Sequence, residues 1–502
     1  VKSVRARACW LLIATGCVAP AQGRAPGAES TSFETGDDTT DATTDALPDL
    51  PDAETGDGDG DGDGDPGDGD GDGDGDPGDG DPYGPPLYPD DRVHSPINAF
   101  VRDNLASIRS LAPAAPADVF MKVGASSTVS PSTLYCFADG VVDLDIHEDA
   151  LGSTLDFFLL GEAGNTTPFD RDTLAAMSGK GAGWAIEGMP APIEQERAAI
   201  HPKGPSLALV HYGTNDMQLG ITYASAMPGY FANMSDLLDL LIDAGVVPIV
   251  FGISRRLDSE PADLWVQTYN AVSRGLAQAR SIPFIDLRLA TEPLPNHGIS
   301  GDGLHLEGFS DGVCLFSPEG LTHGYNMRNL IALQGLDRTH RSLLAADPDP
   351  DPDPDPDIDE PALFLQGLGD IDSPLEIPGL PFADTNSTIG APSLMLDVYA
   401  GCGALADESG PENIYQLELA QTTPIRAMVL DRAGVDIDIH VLDDTASEAG
   451  CIARADRLLE LTLDPGTYYF SLDTYVNGQA IEQSGEYTFV VLACEVGDVD
   501  CL

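Results

Sequence analysis

Two acidic low-complexity tracts decide which parts of this chain can fold. From residue 24 to 92 the sequence is largely Thr, Asp, Gly and Pro, with Gly-Asp pairs repeated through the middle; from 347 to 359 aspartate alternates with proline for most of its length. Neither tract carries the apolar side chains needed to offset the entropy lost on ordering, so neither is expected to hold fixed structure. In the second, covering a spacer at 346–360, alternate prolines keep the backbone extended while the charges between them repel. The segments left to fold are 93–345 and 361–502, each long enough for a core of its own. The net charge of −59 lies in good part in the tracts, and a balance this acidic argues against nucleic acid or an anionic membrane as partner. The DGDGDG runs open like an EF-hand loop but lack its closing glutamate and flanking helices, so they are taken as tether and not as calcium loops.

At the start, Lys2, Arg5 and Arg7 precede an apolar run too short to span a membrane, the layout of a secretory signal over 1–23. Ala14-Thr15-Gly16-Cys17 resembles a bacterial lipoprotein cleavage box, with Ala14 where that pattern prefers leucine. The resemblance implies a lipid anchor at Cys17 and an exported protein, secreted or held on the outer surface of a bacterium. Beyond Cys9 and Cys17, the cysteines fall as Cys136 and Cys314 in the first foldable segment and Cys402, Cys451, Cys494 and Cys501 in the second. Even numbers in an exported chain favour disulfides within each segment, and the last four allow three connectivities.

Within 93–345, short apolar runs rich in β-branched residues mark strands: VFMKVG before Ser126, VVDLDI at 141–146, SLALVHYG at 206–213, VVPIVFGIS at 246–254 and IPFIDLR at 282–288. Between them the period is helical. Trp265, Tyr269, Val272 and Leu276 recur at three-to-four spacing, and Gly245 follows a leucine-rich run at 237–242 as a helix stop should. Alternating strands and helices give a parallel sheet covered on both faces, and ligands of such a sheet sit beyond the carboxyl ends of its strands. Ser126 stands there after one strand, and Asn215, in Gly213-Thr214-Asn215-Asp216, after another. Downstream, ISGDGLHL supplies Asp302 and His305. A serine nucleophile needs a base, a group to orient the base, and donors for the oxyanion, and these residues could provide all of them. Ser127 is the rival hydroxyl. His211 lies within its strand and is expected to be a satisfied sheet histidine. His297, Asp302 and His305 have no recognisable zinc-ligand spacing.

These blocks, in this order, resemble the SGNH hydrolases, or GDSL esterase/lipase family, over about residues 117–340. The resemblance implies a three-layer α/β/α flavodoxin-like sheet and an ester hydrolase that needs no cofactor and no metal. Ser126 would attack, His305 would act as base and Asp302 would orient it. The oxyanion hole would combine the Ser126 N–H, the Gly183 N–H in GAGW and the Asn215 side chain, with Gly179, Gly181 and Gly188 as near alternatives to Gly183. The family's aspartate before the nucleophile is replaced by Ala125. A lipid, an acetylated glycan and a small ester all fit as substrate. The rival reading is a non-catalytic surface binder with an inactive domain, which the missing aspartate favours and the retention of four candidate residues opposes.

The segment 361–502 changes to period two. Tyr415, Leu417 and Leu419 alternate with other residues, as do Ile425, Ala427 and Val429, then Val435, Ile437, Ile439 and Val441, then Tyr487, Phe489 and Val491, and Asp464-Pro465-Gly466 marks a turn. The pattern indicates an antiparallel β-sandwich. Asp436 and Asp438 fall on the face taken as solvated, with calcium ligation as the alternative. VDIDIHVLD, LDPGTYYFSLDTY and GEYTFVVL resemble the bacterial pre-peptidase C-terminal family, an accessory module of secreted hydrolases. That implies attachment to a glycan or cell surface. A period of its own and an even cysteine count predict a module that folds without the rest of the chain.

Overall fold

The computed structural model describes residues 85–344, 360–403, 406–498 and 501. The signal segment, the Gly-Asp tract as far as residue 84 and the Asp-Pro spacer at 345–359 lie outside the described residues. No described helix is long and apolar enough to cross a membrane.

Four parallel strands form the first sheet in the order Phe120–Gly124, Leu207–His211, Val247–Phe251 and Phe284–Ile285. Every residue of these strands is buried, as expected of a sheet with helices on both faces. Tyr223–Asp243 and Glu260–Ala279 pack against each other, and Gly324–Leu344 packs with Ala99–Ser110 and Glu148–Leu159. Three of these starts are capped: the side chains of Asn98, Thr222 and Ser259 accept from Val101, Ser225 and Ala262 N–H groups that would otherwise lack partners. Trp265, Tyr269, Val272 and Leu276 all lie on Glu260–Ala279 and are buried. Gly245 ends the preceding helix with a φ of +72°, and a Cβ there would stand 2.7 Å from the Ala112 nitrogen, so glycine is required twice over.

The expected strand at 141–146 is a correction. Only Val142–Asp143 is extended, and it pairs with Cys314–Leu315 in a separate two-stranded sheet. Val141 and Ile146 are 65% and 82% exposed and only Val142 and Leu144 turn inward, so the run is not buried on both faces as a strand of the main sheet is. The edge beside Phe120–Gly124 is taken instead by one parallel bridge from Gly124 to Ala176, with Gly124 N–H donating to Ala175 O and Met177 N–H to Gly124 O. Counting that bridge as a shrunken second strand, the order is the flavodoxin-like 2-1-3-4-5.

The C-terminal segment forms two facing sheets. One runs Leu458–Leu463, Thr423–Asp431, Glu486–Ala493, Phe382–Ser387, all antiparallel. The other runs Cys451–Ala455, Ile437–Leu442, Gly466–Thr474, Asn413–Leu419 and, in parallel at its edge, Leu375–Glu376. Between them Tyr415, Leu417, Ile425, Ala427, Val429, Ile437, Ile439, Val441, Tyr487, Phe489 and Val491 make the core that the alternation marks.

The sandwich is not a bead on a spacer. The outer face of its four-stranded sheet carries Ala383, Met428, Leu430, Val490 and Leu492, and these belong to the apolar cluster of the α/β region. Helix Glu260–Ala279 lies on that face. There Arg426, with no exposure, stacks 3.7 Å from the Trp265 ring and pairs with Asp498 and Glu460 at 2.7 Å each. The expectation of a module that folds alone rested on its period and cysteine count, and these apolar side chains add a second buried face that neither signal marks. The start of the folded region moves as well, because Tyr88, placed in the tract at 24–92, is 5% exposed. Its N–H donates to Gln278 and its hydroxyl to Ile282 O.

The disulfides are Cys136–Cys314, Cys402–Cys451 and Cys494–Cys501, each within its segment. Asp438, expected on a solvated face, is 8% exposed.

Candidate active site

Strand Phe120–Gly124 ends where the chain must turn sharply. A Cβ on Gly124 would come 2.7 Å from the His211 carbonyl oxygen of the neighbouring strand, so only glycine lets the two strand ends approach. The buried Ala125 follows, and Ser126 opens the short helix Ser126–Val129. As the first residue of that helix it has no carbonyl one turn back for its N–H, which is left for another acceptor. Thr133 hydroxyl donates to the Ser127 carbonyl, fixing the far side of the turn.

The loop at 300–307 brings the other two groups. Asp302 Oδ1 accepts from Ser300 Oγ at 2.7 Å and from the backbone N–H of Leu304 and of His305 at 3.0 Å each. Its Oδ2 lies 2.7 Å from His305 Nδ1, and His305 Nε2 lies 3.1 Å from Ser126 Oγ. A carboxylate can only accept, so Nδ1 carries the proton and Nε2 presents its lone pair to the serine hydroxyl. The hydrogen bond from the His305 ring, followed by those from the backbone and Ser300, holds the Asp302 carboxyl well below the usual carboxylate range. Ser126 and the Asp302–His305 pair, far apart in sequence, therefore meet in one hydrogen-bonded line.

Asn215 sits at the same sheet edge, and its Nδ2 donates to Lys180 O at 3.0 Å. What places it is the buried neighbour Asp216, whose Oδ2 accepts from Gly213 N–H at 2.9 Å and whose Oδ1 accepts from Ala182 N–H at 2.8 Å. Burial pushes the Asp216 carboxyl up, and the backbone donors oppose that shift. Gly183 is not brought toward Ser126 by any of these bonds. It lies inside helix Ala182–Ile186, and a Cβ on it would meet the Asn233 side chain at 2.8 Å, on the helix Tyr223–Asp243. Gly179, with φ +76° and open space around its Cα, follows the Ala175–Met177 stretch bonded to Gly124 and precedes the Lys180 that Asn215 holds. Four glycines lie within ten residues here, and the sequence does not say which N–H turns toward the serine.

Arg256 is a residue that sequence reasoning missed. Only 1% exposed, it donates from Nη1 to Thr214 O at 3.1 Å and forks onto Asp258 at 2.8 and 2.9 Å. Asp258 N–H in turn donates to Gly303 O at 2.9 Å. One guanidinium thus ties the Asn215 turn to the Asp302–His305 loop. The only signal for it was its place beyond the strand Val247–Phe251, at the shared sheet edge.

His211 is 6% exposed within its strand; burial, then the nearby Arg328, pushes its imidazole down to about 3, so it is neutral. Its Nδ1 lies 3.4 Å from Arg328 Nη2, while Nε2 has no partner among the described residues, so it is only half satisfied there. His297 contacts Glu292. It forms no metal-holding group with Asp302 and His305 among the described residues. A cavity of about 710 Å³ opens just beyond Asn215, lined by Met217, Ile221, Tyr223 and Trp265 and walled by Leu458 and Glu460 of the sandwich.

Compared with curated protein sequences, the chain matches none. Among solved structures it is similar to a GDSL-like lipase from Bacteroides thetaiotaomicron at 16% identity, covering 47% of this chain and 98% of that one, with a TM-score of 0.27. A carbohydrate esterase family 3 protein from Talaromyces cellulolyticus matches at 18% identity over 43% of this chain and 97% of its own, with a TM-score of 0.28. The pre-peptidase C-terminal domain of a collagenase from Bacillus anthracis matches at 18% identity over 23% of this chain and 91% of its own, with a TM-score of 0.16. Residues 145–308 match the model of the GDSL-like lipase/acylhydrolase family, a span that takes in Asn215, Asp302 and His305 and begins after Ser126. Over these residues the chain is similar to the GDSL-like lipases and acylhydrolases, a match that supports a carboxylic ester hydrolase.

Proposed function

We propose that Ser126 is the nucleophile of this hydrolase, with His305 as its general base and Asp302 as the group that orients the imidazole. The observation that carries the reading is the 3.1 Å contact between Ser126 Oγ and His305 Nε2, because the family match does not extend to the serine. Ser126 Oγ attacks the ester carbonyl carbon while its proton passes to His305 Nε2. The carbonyl π pair moves onto oxygen, where the Ser126 N–H, the Asn215 side chain and, in place of Gly183, the Gly179 N–H hold it. Collapse expels the alcohol, which takes the proton from His305. Water, deprotonated by the same imidazole, then releases the acid and restores the serine.

The substrate class that this site favours is a short-acyl ester. The side chains of Asp302 and His305 are 51% and 37% exposed, so the site is open on the triad side and offers a long chain little apolar wall there, and the cavity lined by Met217, Ile221, Tyr223 and Trp265 includes no triad residue. We also propose that the protein is exported, since three disulfides suit an oxidising compartment. The test is hydrolysis of an ester series of increasing acyl length by the parent and by Ser126→Ala and Ser127→Ala. Turnover should fall with chain length, vanish almost wholly in Ser126→Ala and persist in Ser127→Ala. Loss in Ser127→Ala alone would sink the nucleophile assignment, and turnover rising with length would sink the short-acyl assignment.

A further inference from the structure

The sandwich holds a second group of chemistry-bearing side chains. Asp438 and His440 stand two apart on strand Ile437–Leu442 and so share a face, opposite to Ile437, Ile439 and Val441, which enter the core. The loop at 406–412, just before strand Asn413–Leu419, covers that face and brings Glu408 over it. Glu408 and His440 have no exposure and Asp438 has 8%. One ligand atom from each of the three lies within 4.8 Å of the others.

Their partners are missing. Neither carboxylate oxygen of Glu408 and neither ring nitrogen of His440 has a hydrogen-bond partner among the described residues. Buried polar groups are normally satisfied, and a buried unpaired charge is costly. A proton shared between Glu408 and Asp438 would ease the two carboxylates but leave the imidazole lone pair unmet. A divalent cation meets all three groups at once. Meanwhile the His440 ring is already held in plane, stacked on Tyr399 with centroids 3.5 Å apart and 3° between planes. Tyr399 is itself fixed by its hydroxyl, which donates to the Asp473 carboxylate and lies 2.8 Å from Ser471 Oγ, from which it can accept. A cavity of about 460 Å³ opens onto Asp438, lined by Asp436 and Asp456 as well as Arg454 and Arg457, and gives an ion a way in.

We propose that Glu408, Asp438 and His440 bind one divalent first-row transition ion, with zinc as the type case, which pins the covering loop to the sheet. An imidazole nitrogen beside two carboxylates suits such an ion. Calcium and magnesium prefer six or more oxygen ligands. The role is structural and does not enter the ester chemistry.

The test uses the full chain, stripped with a chelator and titrated with Co²⁺ and then Zn²⁺. The acidic tracts will collect cations loosely in every variant, so the difference from the parent is what counts. The parent should take up one tight equivalent of Co²⁺ with a visible d–d band that Zn²⁺ displaces, and Zn²⁺ should raise its melting temperature. Both effects should disappear in Glu408→Gln and in His440→Phe, which keeps a ring against Tyr399. X-ray absorption of the zinc-loaded parent should show a first shell with imidazole scattering at about 2.0–2.2 Å, a reading that does not depend on the variants folding. Equal uptake by parent and variants, a shell of oxygen alone, or a melting shift with Ca²⁺ but not Zn²⁺ would overturn the proposal.

Discussion

Between Ser126 and His305 the alignment rests on side chains that never touch substrate. Arg256 is the clearest, since it bonds Thr214 O on one side and Asp258 on the other, and Asp258 holds Gly303 beside the Asp302–His305 loop. Arg256→Lys keeps the charge but not the fork, so the loops should drift relative to one another. Turnover should fall by about tenfold to a hundredfold, the usual consequence of a misplacement near 1 Å. The check is kcat and KM for a short-acyl ester, with kcat carrying most of the loss; unchanged kcat would remove the positioning role. Ser126, Asn215, Asp302 and His305 were legible in the sequence because glycines and strand ends fix where backbone can turn. Arg256 was not, because a long side chain can reach several loops and only the fold chooses one. Which glycine N–H completes the oxyanion hole was not legible for a related reason, since the direction of an N–H depends on φ and ψ, which adjacent glycines leave open.

At the scale of elements, the nucleophile strand contains a cation in its middle. Lys122 is 2% exposed, donates to Phe169 O at 2.7 Å and lies 3.9 Å over the Tyr135 ring. Burial, then the nearby Arg328, pushes its ammonium down to about 7. Unfolded, it would keep its proton up to about 10.4. Between those values the unfolded chain binds more protons than the folded one, so this group makes stability rise with pH from about 7 to 10.4, and the gain is lost again as pH falls from 10.4 to about 7. Lys122→Met should therefore flatten the rise in melting temperature across that window relative to the parent, and an identical slope in both proteins would contradict the account. The strands at 206–213 and 246–254 and the helix bearing Trp265 were plain from period alone. VVDLDI was not, because five apolar or acidic residues in alternation satisfy a strand template whether or not a sheet is there to receive them.

For the whole molecule, the main surprise is that the α/β region and the sandwich share packing. Alternation in RAMVL and TFVVLA identifies one inward face, and the residues in between, Met428, Leu430, Val490 and Leu492, are apolar too. Period two is still the dominant signal, so the sandwich was legible and the second contact face was passed over. Expressed alone under oxidising conditions, 361–502 would expose that apolar patch together with Arg426 stripped of Trp265. It should self-associate or melt well below the full chain, as light scattering and calorimetry would register. A monomer with a melting temperature equal to that of the full chain would show that the contact contributes little.

The most direct test of the central claim is the site of covalent capture. The full chain, treated with a fluorophosphonate and digested, should carry a single adduct on Ser126, with labelling abolished in His305→Ala and retained in Ser127→Ala. An adduct on Ser127 or on any serine away from the Asp302–His305 loop would contradict the account.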